Sequence, residues 1–179
     1  MRLFIGIFLP KEILDYLYEV QNNLKKNLNG KINWTAKSKL HFTLKFLGEV
    51  KEDKLDEIKE RLSKIKLKSF KAKLDKIGVF PDENYIRIIW VGLNPKDKVI
   101  ELQKQVDSEL LDLSSKDQEF NVYITLARVK LIKDKEEFKK NIKINILEKE
   151  FEINEFCLVK SELSKDGPKY EILERFKLN

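Results

Sequence analysis

One short pattern occurs twice in this chain. Leu40-His41-Phe42-Thr43-Leu44 and Val122-Tyr123-Ile124-Thr125-Leu126 align without a gap, 82 positions apart from His41 to Tyr123. Each reads apolar, ring, apolar, Thr, Leu. Successive side chains on a strand point to opposite faces. His41 and Thr43 therefore share one face while Phe42 and Leu44 share the other, and Tyr123 and Thr125 stand likewise against Ile124 and Leu126. Each strand has an apolar face to pack and a face that offers a ring beside a hydroxyl. A fold holding both must supply two half-buried strands in similar settings.

The elements around the pair repeat in order. Leu3–Leu9 is a short apolar run with strand character. Pro10 can open a helix, because its missing N–H costs nothing in a first turn. Ile13, Leu17, Val20, Leu24 and Leu28 then make one apolar helical face, and Asn29-Gly30 is expected to end it in the left-handed conformation that Gly tolerates. A short Ile32–Thr35 segment and a strand over Leu40–Leu47 follow. The next helix runs from about Glu52, with Leu55, Ile58, Leu62 and Ile65 on one side. Phe70, Ala72 and Leu74 alternate with polar residues, Pro81-Asp82-Glu83-Asn84 is a turn, and Tyr85–Val91 is rich in β-branched and aromatic residues, which predicts a hairpin. In the second half, a helix from Pro95 carries Val99, Leu102, Val106, Leu110 and Leu113. A polar loop (Ser114–Glu119), a strand over Phe120–Leu126 and a shorter helix near Asp134–Ile142 come next. Strands over Phe151–Ser161 and Tyr170–Phe176 flank Lys165-Asp166-Gly167-Pro168. No Gly/Ser linker divides the chain, so residues 1–179 read as a single α+β domain of two similar lobes.

Scarcity narrows the chemistry. The lone Cys157 forbids an intramolecular disulfide, and one Cys with one His cannot build the usual Cys/His zinc site. No metal and no cofactor are expected. No apolar stretch approaches the ~20 residues that span a bilayer. Leu3–Leu9 meets Pro10, Lys11 and Glu12 rather than a small-residue cleavage site, so the expected location is cytoplasmic, away from membranes. Lys and Glu are plentiful while Cys and Met occur once each, a composition common in proteins from hot environments. Net charge is +6, but lysines are mixed with acids, as in Lys51-Glu52-Asp53-Lys54. That is first a solvated surface and second a welcome for nucleic acid or a phosphorylated substrate. Trp34 and Trp90 are expected to pack, Cys157 to be an inert buried thiol, and Tyr170 to be a packed strand residue or, alternatively, part of a cleft mouth.

The polar faces of the paired strands suit a phosphate. A His moves protons near neutral pH, and a Thr hydroxyl hydrogen-bonds phosphate oxygens. Two such strands across a cleft would bracket one phosphorus, with one group for the attacking oxygen and one for the leaving oxygen.

Further stretches occur in order around them: Met1-Arg2-Leu3-Phe4-Ile5, His41 through Glu49, Gly78-Val79-Phe80-Pro81, Tyr85–Gly92 with Arg87 and Trp90, Thr125-Leu126-Ala127-Arg128, and Asp166-Gly167-Pro168-Lys169-Tyr170-Glu171. With these the chain resembles the 2H phosphoesterase superfamily, and within it the RNA 2′,3′-cyclic phosphodiesterases once called 2′-5′ RNA ligases, over essentially its whole length. The resemblance implies an α+β fold of two lobes, each with an antiparallel sheet flanked by helices, related by a pseudo-twofold axis around a central cleft. It implies His41 as proton donor to the leaving oxygen, Thr43 and Thr125 as hydroxyls on the phosphate, and Arg128 as a nearby cation. Strand alternation adds Lys45 to the His41 face, as a further phosphate contact or an ordinary surface lysine.

Tyr123 departs from that family, which places a second His there as general base. A phenol has an ordinary pKa of ~10 against ~6.5 for imidazole, so it is a poor base at neutral pH, although it can donate a proton. Losing one acid–base partner typically costs ~10²–10⁴ in rate. The expected function is metal-free hydrolysis of a terminal 2′,3′-cyclic phosphate, the family implying a 2′-phosphate product, weakened by Tyr123. The alternatives are a catalytically silent module that binds RNA ends or nucleotides, and 2′-5′ RNA ligation in the same cleft. The expected partner is RNA or a nucleotide with a cyclic end, and a monomer is the default assembly.

Overall fold

Apolar spacing accounts for most elements of the computed structural model, which describes residues 1–114, 120–165 and 167–179. The expected loop beyond Ser114 and Asp166 lie outside the described residues. Strand β1 (Arg2–Phe8) leads through Pro10, which precedes the first helical residue, into α1 (Lys11–Asn27). The helix buries Ile13, Leu17, Val20 and Leu24, the apolar stripe of its sequence. Then come β2 (Gly30–Trp34), β3 (His41–Glu49) and α2 (Leu55–Ser63), whose buried side is Ile58 and Leu62. β4 (Phe70–Asp82) and β5 (Tyr85–Asn94) form the expected hairpin. Its turn is held by Asp82 Oδ1, which accepts from the backbone N–H groups of Asn84 (2.7 Å) and Tyr85 (3.1 Å). Pro95 precedes α3 (Lys96–Glu109), and β6 (Tyr123–Ile132) follows. Asp134 caps α4 (Lys135–Asn141) by accepting from the Glu137 N–H. The chain closes with β7 (Glu150–Ile153), β8 (Glu155–Glu162) and β9 (Lys169–Lys177). Among the described residues no helix is long and apolar enough to cross a membrane.

The strands run in the order β7-β4-β5-β6-β3-β1-β8-β9, with β2 added to β6, and every pairing is antiparallel. The lobes are thus β6-β5-β4-β7 and β3-β1-β8-β9. Each lobe contains strands from both halves of the sequence. β4, which follows α2, joins the second motif strand's lobe, and β8, which follows α4, joins the first's. The core runs through both, with Phe42, Leu44, Ile58, Leu74, Val91, Ile124, Leu126 and Leu158 all at or below 1% exposure.

Three expectations are corrected. Gly30 does not end α1 in a left-handed turn: the helix stops at Asn27, and Leu28 is already extended. Gly30 instead begins β2, where a Cβ would fall 2.2 Å from the Leu131 carbonyl oxygen, so its smallness is what lets β2 approach β6. The strand read over 120–126 begins three residues later and runs on to Ile132, because β6 is paired on both sides by β2 and β5. The run read as one strand over 151–161 is two, broken at Asn154, where the chain leaves β4 and joins β1. The adjacent polar residues Asn154 and Glu155 mark that passage, between the alternating Phe151 and Ile153 and the apolar run that starts at Phe156.

Candidate active site

The two motif strands meet near their starts. Phe42 of β3 pairs with Ile124 of β6, the single link between the lobes' sheets among the described residues, and both side chains are fully buried. Side chains flanking that pair point to the other face. There His41, Thr43, Tyr123, Thr125 and Arg128 line one cleft of about 940 Å³.

His41 is held on both ring nitrogens. Nδ1 lies 2.7 Å from the Lys39 carbonyl oxygen, which can only accept, so Nδ1 carries the proton of the neutral ring. Nε2, 3.0 Å from Thr43 Oγ1, is then the acceptor and the hydroxyl donates to it. Phe4 (4.9 Å between ring centroids) and Phe8 (5.7 Å) tilt against the imidazole, and Tyr170 from β9 meets it edge-on at 5.3 Å. Burial pushes the imidazole below its ordinary value of 6.5, opposed more weakly by the Lys39 carbonyl. His41 therefore enters neutral solution uncharged, with a lone pair on Nε2.

Tyr123 has a parallel setting on the other lobe. Phe80 meets it edge-on at 5.0 Å, and Trp90 lies 6.4 Å away, stacked on Phe80 at 5.1 Å. A Cβ at position 78 would sit 2.0 Å from the Trp90 ring, so Gly78 makes room for the indole beneath Tyr123. Trp90 is thus a packing residue, as expected from sequence.

A bulge in each motif strand decides what else faces the cleft. In β3, Ile5 pairs with Lys45 and Gly6 with Thr43, leaving Leu44 without a partner on β1. In β6, Ile89 pairs with Ala127 and Trp90 with Thr125, leaving Leu126 without one on β5. The extra residue reverses alternation beyond it. The first six residues of both strands consequently share one burial sequence, in which Lys45 and Ala127 turn inward while Phe46 and Arg128 turn out. Simple alternation would have hidden Arg128 behind Tyr123 and Thr125; the bulge returns it to the cleft.

The same bulge corrects the reading of Lys45. Lys45 borders the cleft, but its side chain has no exposed surface and its ammonium donates to Asp107 of α3. Phe46, 62% exposed, takes the place that alternation gave to lysine. Tyr170, expected as a packed strand residue or part of the cleft mouth, both packs against Phe4 and lines the cleft beside His41. Burial pushes the Tyr170 phenol's pKa up, opposed more weakly by the charges of Arg128 and Arg2. Cys157 lies behind this group with Phe4 and Val159, and burial pushes its thiol up to about 11.

The cleft's charge is one-sided. Arg2, Lys39, Arg128 and Lys165 line it, while no described lining residue is acidic. A second hollow of about 470 Å³ between α2 and β9 mixes Glu60 and Glu174 with Lys59 and Arg175, and has no such bias. The larger cleft suits an anion bracketed by two ring–hydroxyl pairs.

Comparisons with known proteins point the same way. The LigT-like phosphoesterase family model matches residues 7–90. The chain is 37% identical to an RNA 2′,3′-cyclic phosphodiesterase of Methanocaldococcus jannaschii, covering 98% of this chain and 100% of that protein. It is 32% identical to one of Archaeoglobus fulgidus, covering 98% and 99%. Among solved structures, TT0787 of Thermus thermophilus superposes with a TM-score of 0.85 at 29% identity, over 99% of this chain and 98% of that one. Escherichia coli LigT complexed with 3′-AMP gives 0.77 at 25% identity, over 99% and 96%.

Proposed function

The chain belongs to the LigT-like phosphoesterases, among relatives named RNA 2′,3′-cyclic phosphodiesterases, and on that footing we propose how a cleft with one imidazole and one phenol performs the reaction. The activity is that of a cyclic phosphodiesterase, a hydrolase acting on 2′,3′-cyclic phosphate ends of RNA. The observation that carries the division of labour is His41, whose Nδ1 proton is committed to the Lys39 carbonyl while Nε2 is left as an acceptor.

In this scheme the cyclic phosphate sits between the motif strands, with Thr125 donating to its oxygens and Arg128 balancing its charge, while Thr43 turns its one hydroxyl proton from His41 Nε2 to a phosphate oxygen and so frees Nε2 for the attacking water. A water molecule gives a proton to His41 Nε2 as its oxygen attacks phosphorus. The P–O3′ bond breaks in line, and the departing O3′ takes the phenolic proton of Tyr123. The products are a 2′-phosphate and a free 3′-hydroxyl. The imidazolium then returns a proton to the phenolate, downhill because phenol is ordinarily the weaker acid. The resemblance implies His41 as the donor; with a phenol at 123 the opposite assignment uses each group for what it does well.

Hydrolysis of a nucleoside 2′,3′-cyclic phosphate across a range of pH tests this. His41→Ala is expected to abolish turnover, and a variant as fast as wild type would remove His41 from the mechanism. Tyr123→Phe should lose ~10²–10⁴ in kcat, whereas an unchanged rate would show that no phenolic proton is needed. The wild-type kcat/KM should climb as pH rises through a value below 6.5, since the base works only when unprotonated and burial lowers its pKa. Tyr123→His should raise the maximal rate about tenfold or more and add a decline near the imidazole range as the new acid loses its proton.

A further inference from the structure

Trp34 ends β2, and this half-buried residue lines the cleft while packing against the core. The Lys25 ammonium of α1 lies over that ring, 5.6 Å from its centroid, and over the ring of Tyr18 at 5.7 Å. The Lys37 ammonium, from the turn that follows β2, lies 5.6 Å from the Tyr18 ring as well. Tyr18 is 42% exposed, a high value for a ring whose purpose is packing. Rings and cations therefore alternate in the order Trp34, Lys25, Tyr18, Lys37, along a row that Trp34 joins to the cleft. Asp15 pairs with Lys37 and Lys11 at one end of the row. No carboxylate of the described residues lies within ion-pair distance of Lys25, which is held by the two ring faces.

Such a row matches what a single nucleic-acid strand needs. Bases stack on aromatic faces whatever their sequence, and flexible ammonium groups meet the phosphates between them. An exposed lysine leaves a ring for a phosphate by rotating its own stem. The cleft also has to release the rest of any strand whose end it holds, and Trp34 both lines the cleft and belongs to the row. We infer that single-stranded RNA upstream of the cyclic end lies along α1, with bases against Trp34 and Tyr18 and phosphates near Lys25 and Lys37. This rests on the reading of the cleft as the cyclic-phosphate site.

The experiment compares a nucleoside 2′,3′-cyclic phosphate with an oligoribonucleotide of about six residues bearing the same end. Wild-type protein should show a KM for the oligonucleotide lower by about tenfold or more at low salt, the advantage shrinking as salt is added. Tyr18→Ala combined with Lys25→Glu should cut kcat/KM for the oligonucleotide about fivefold or more while leaving the mononucleotide rate as it was. Equal wild-type KM values, or a loss shared by both substrates, would overturn the track and leave the cleft reading standing. Absence of wild-type turnover on the mononucleotide and the oligonucleotide alike would overturn the cleft reading and the track with it.

Discussion

Lys45 separates a phosphate contact from a structural cation at a single position. Its ammonium is buried against Asp107, and removing one partner of a buried pair leaves an uncompensated charge. Lys45→Met is expected to lower unfolding free energy by ~3 kcal/mol or more in chemical denaturation, while KM for a cyclic phosphate stays within about twofold of wild type. A raised KM with unchanged stability would instead restore Lys45 to the substrate. Gln21 has a comparable supporting role that no motif announces. Its side-chain amide donates to the carbonyl oxygens of Thr35 (2.8 Å) and of the bulged Leu126 (2.9 Å), fixing the backbone that immediately follows Thr125.

At the scale of elements, the sequence displayed what periodicity can display. The faces of α1 and α3, the β4–β5 turn and the duplicated ring–hydroxyl pairs each follow from repeating side-chain spacing and are present, although Leu28, Leu110 and Leu113, read as the ends of the helical faces, lie beyond helices that stop at Asn27 and Glu109. The bulges at Leu44 and Leu126 left no such trace, because one unpaired residue changes the register without changing the composition. Their effect on Arg128 and Lys45 was therefore illegible, whereas the break at Asn154 did leave a trace, two adjacent polar residues (Asn154 and Glu155) that interrupt the alternation. Tyr170 was readable as a packed residue or part of the cleft mouth, but its contact with His41 was not, because it is made through β8 and β1, a long-range arrangement that local pattern does not encode. Gly30 offers an element-level test. Its Cβ position collides with backbone, which no rotamer change relieves, so Gly30→Ala should destabilise the protein by ~1–3 kcal/mol in a denaturant titration. Unchanged stability would mean that β2 shifts away from β6 at little cost.

Over the whole molecule, the exchange of β4 and β5 for β8 and β9 makes each lobe depend on the other half of the sequence. Neither sheet can be assembled from one half alone, so the two lobes should unfold together. Far-ultraviolet circular dichroism reports both lobes, whereas Trp34 and Trp90 fluorescence reports the lobe built on β6. The two signals are expected to give one coincident thermal transition, and separated midpoints would mean that the lobes are independent. The same arrangement imposes an order on synthesis. A ribosome delivers His41 early, yet the ring that closes over it, Tyr170, arrives only with β9, after β8 has taken its place beside β1. A nascent chain therefore carries its base long before the pocket that lowers that base's proton affinity, and acquires a working cleft only near the end of translation.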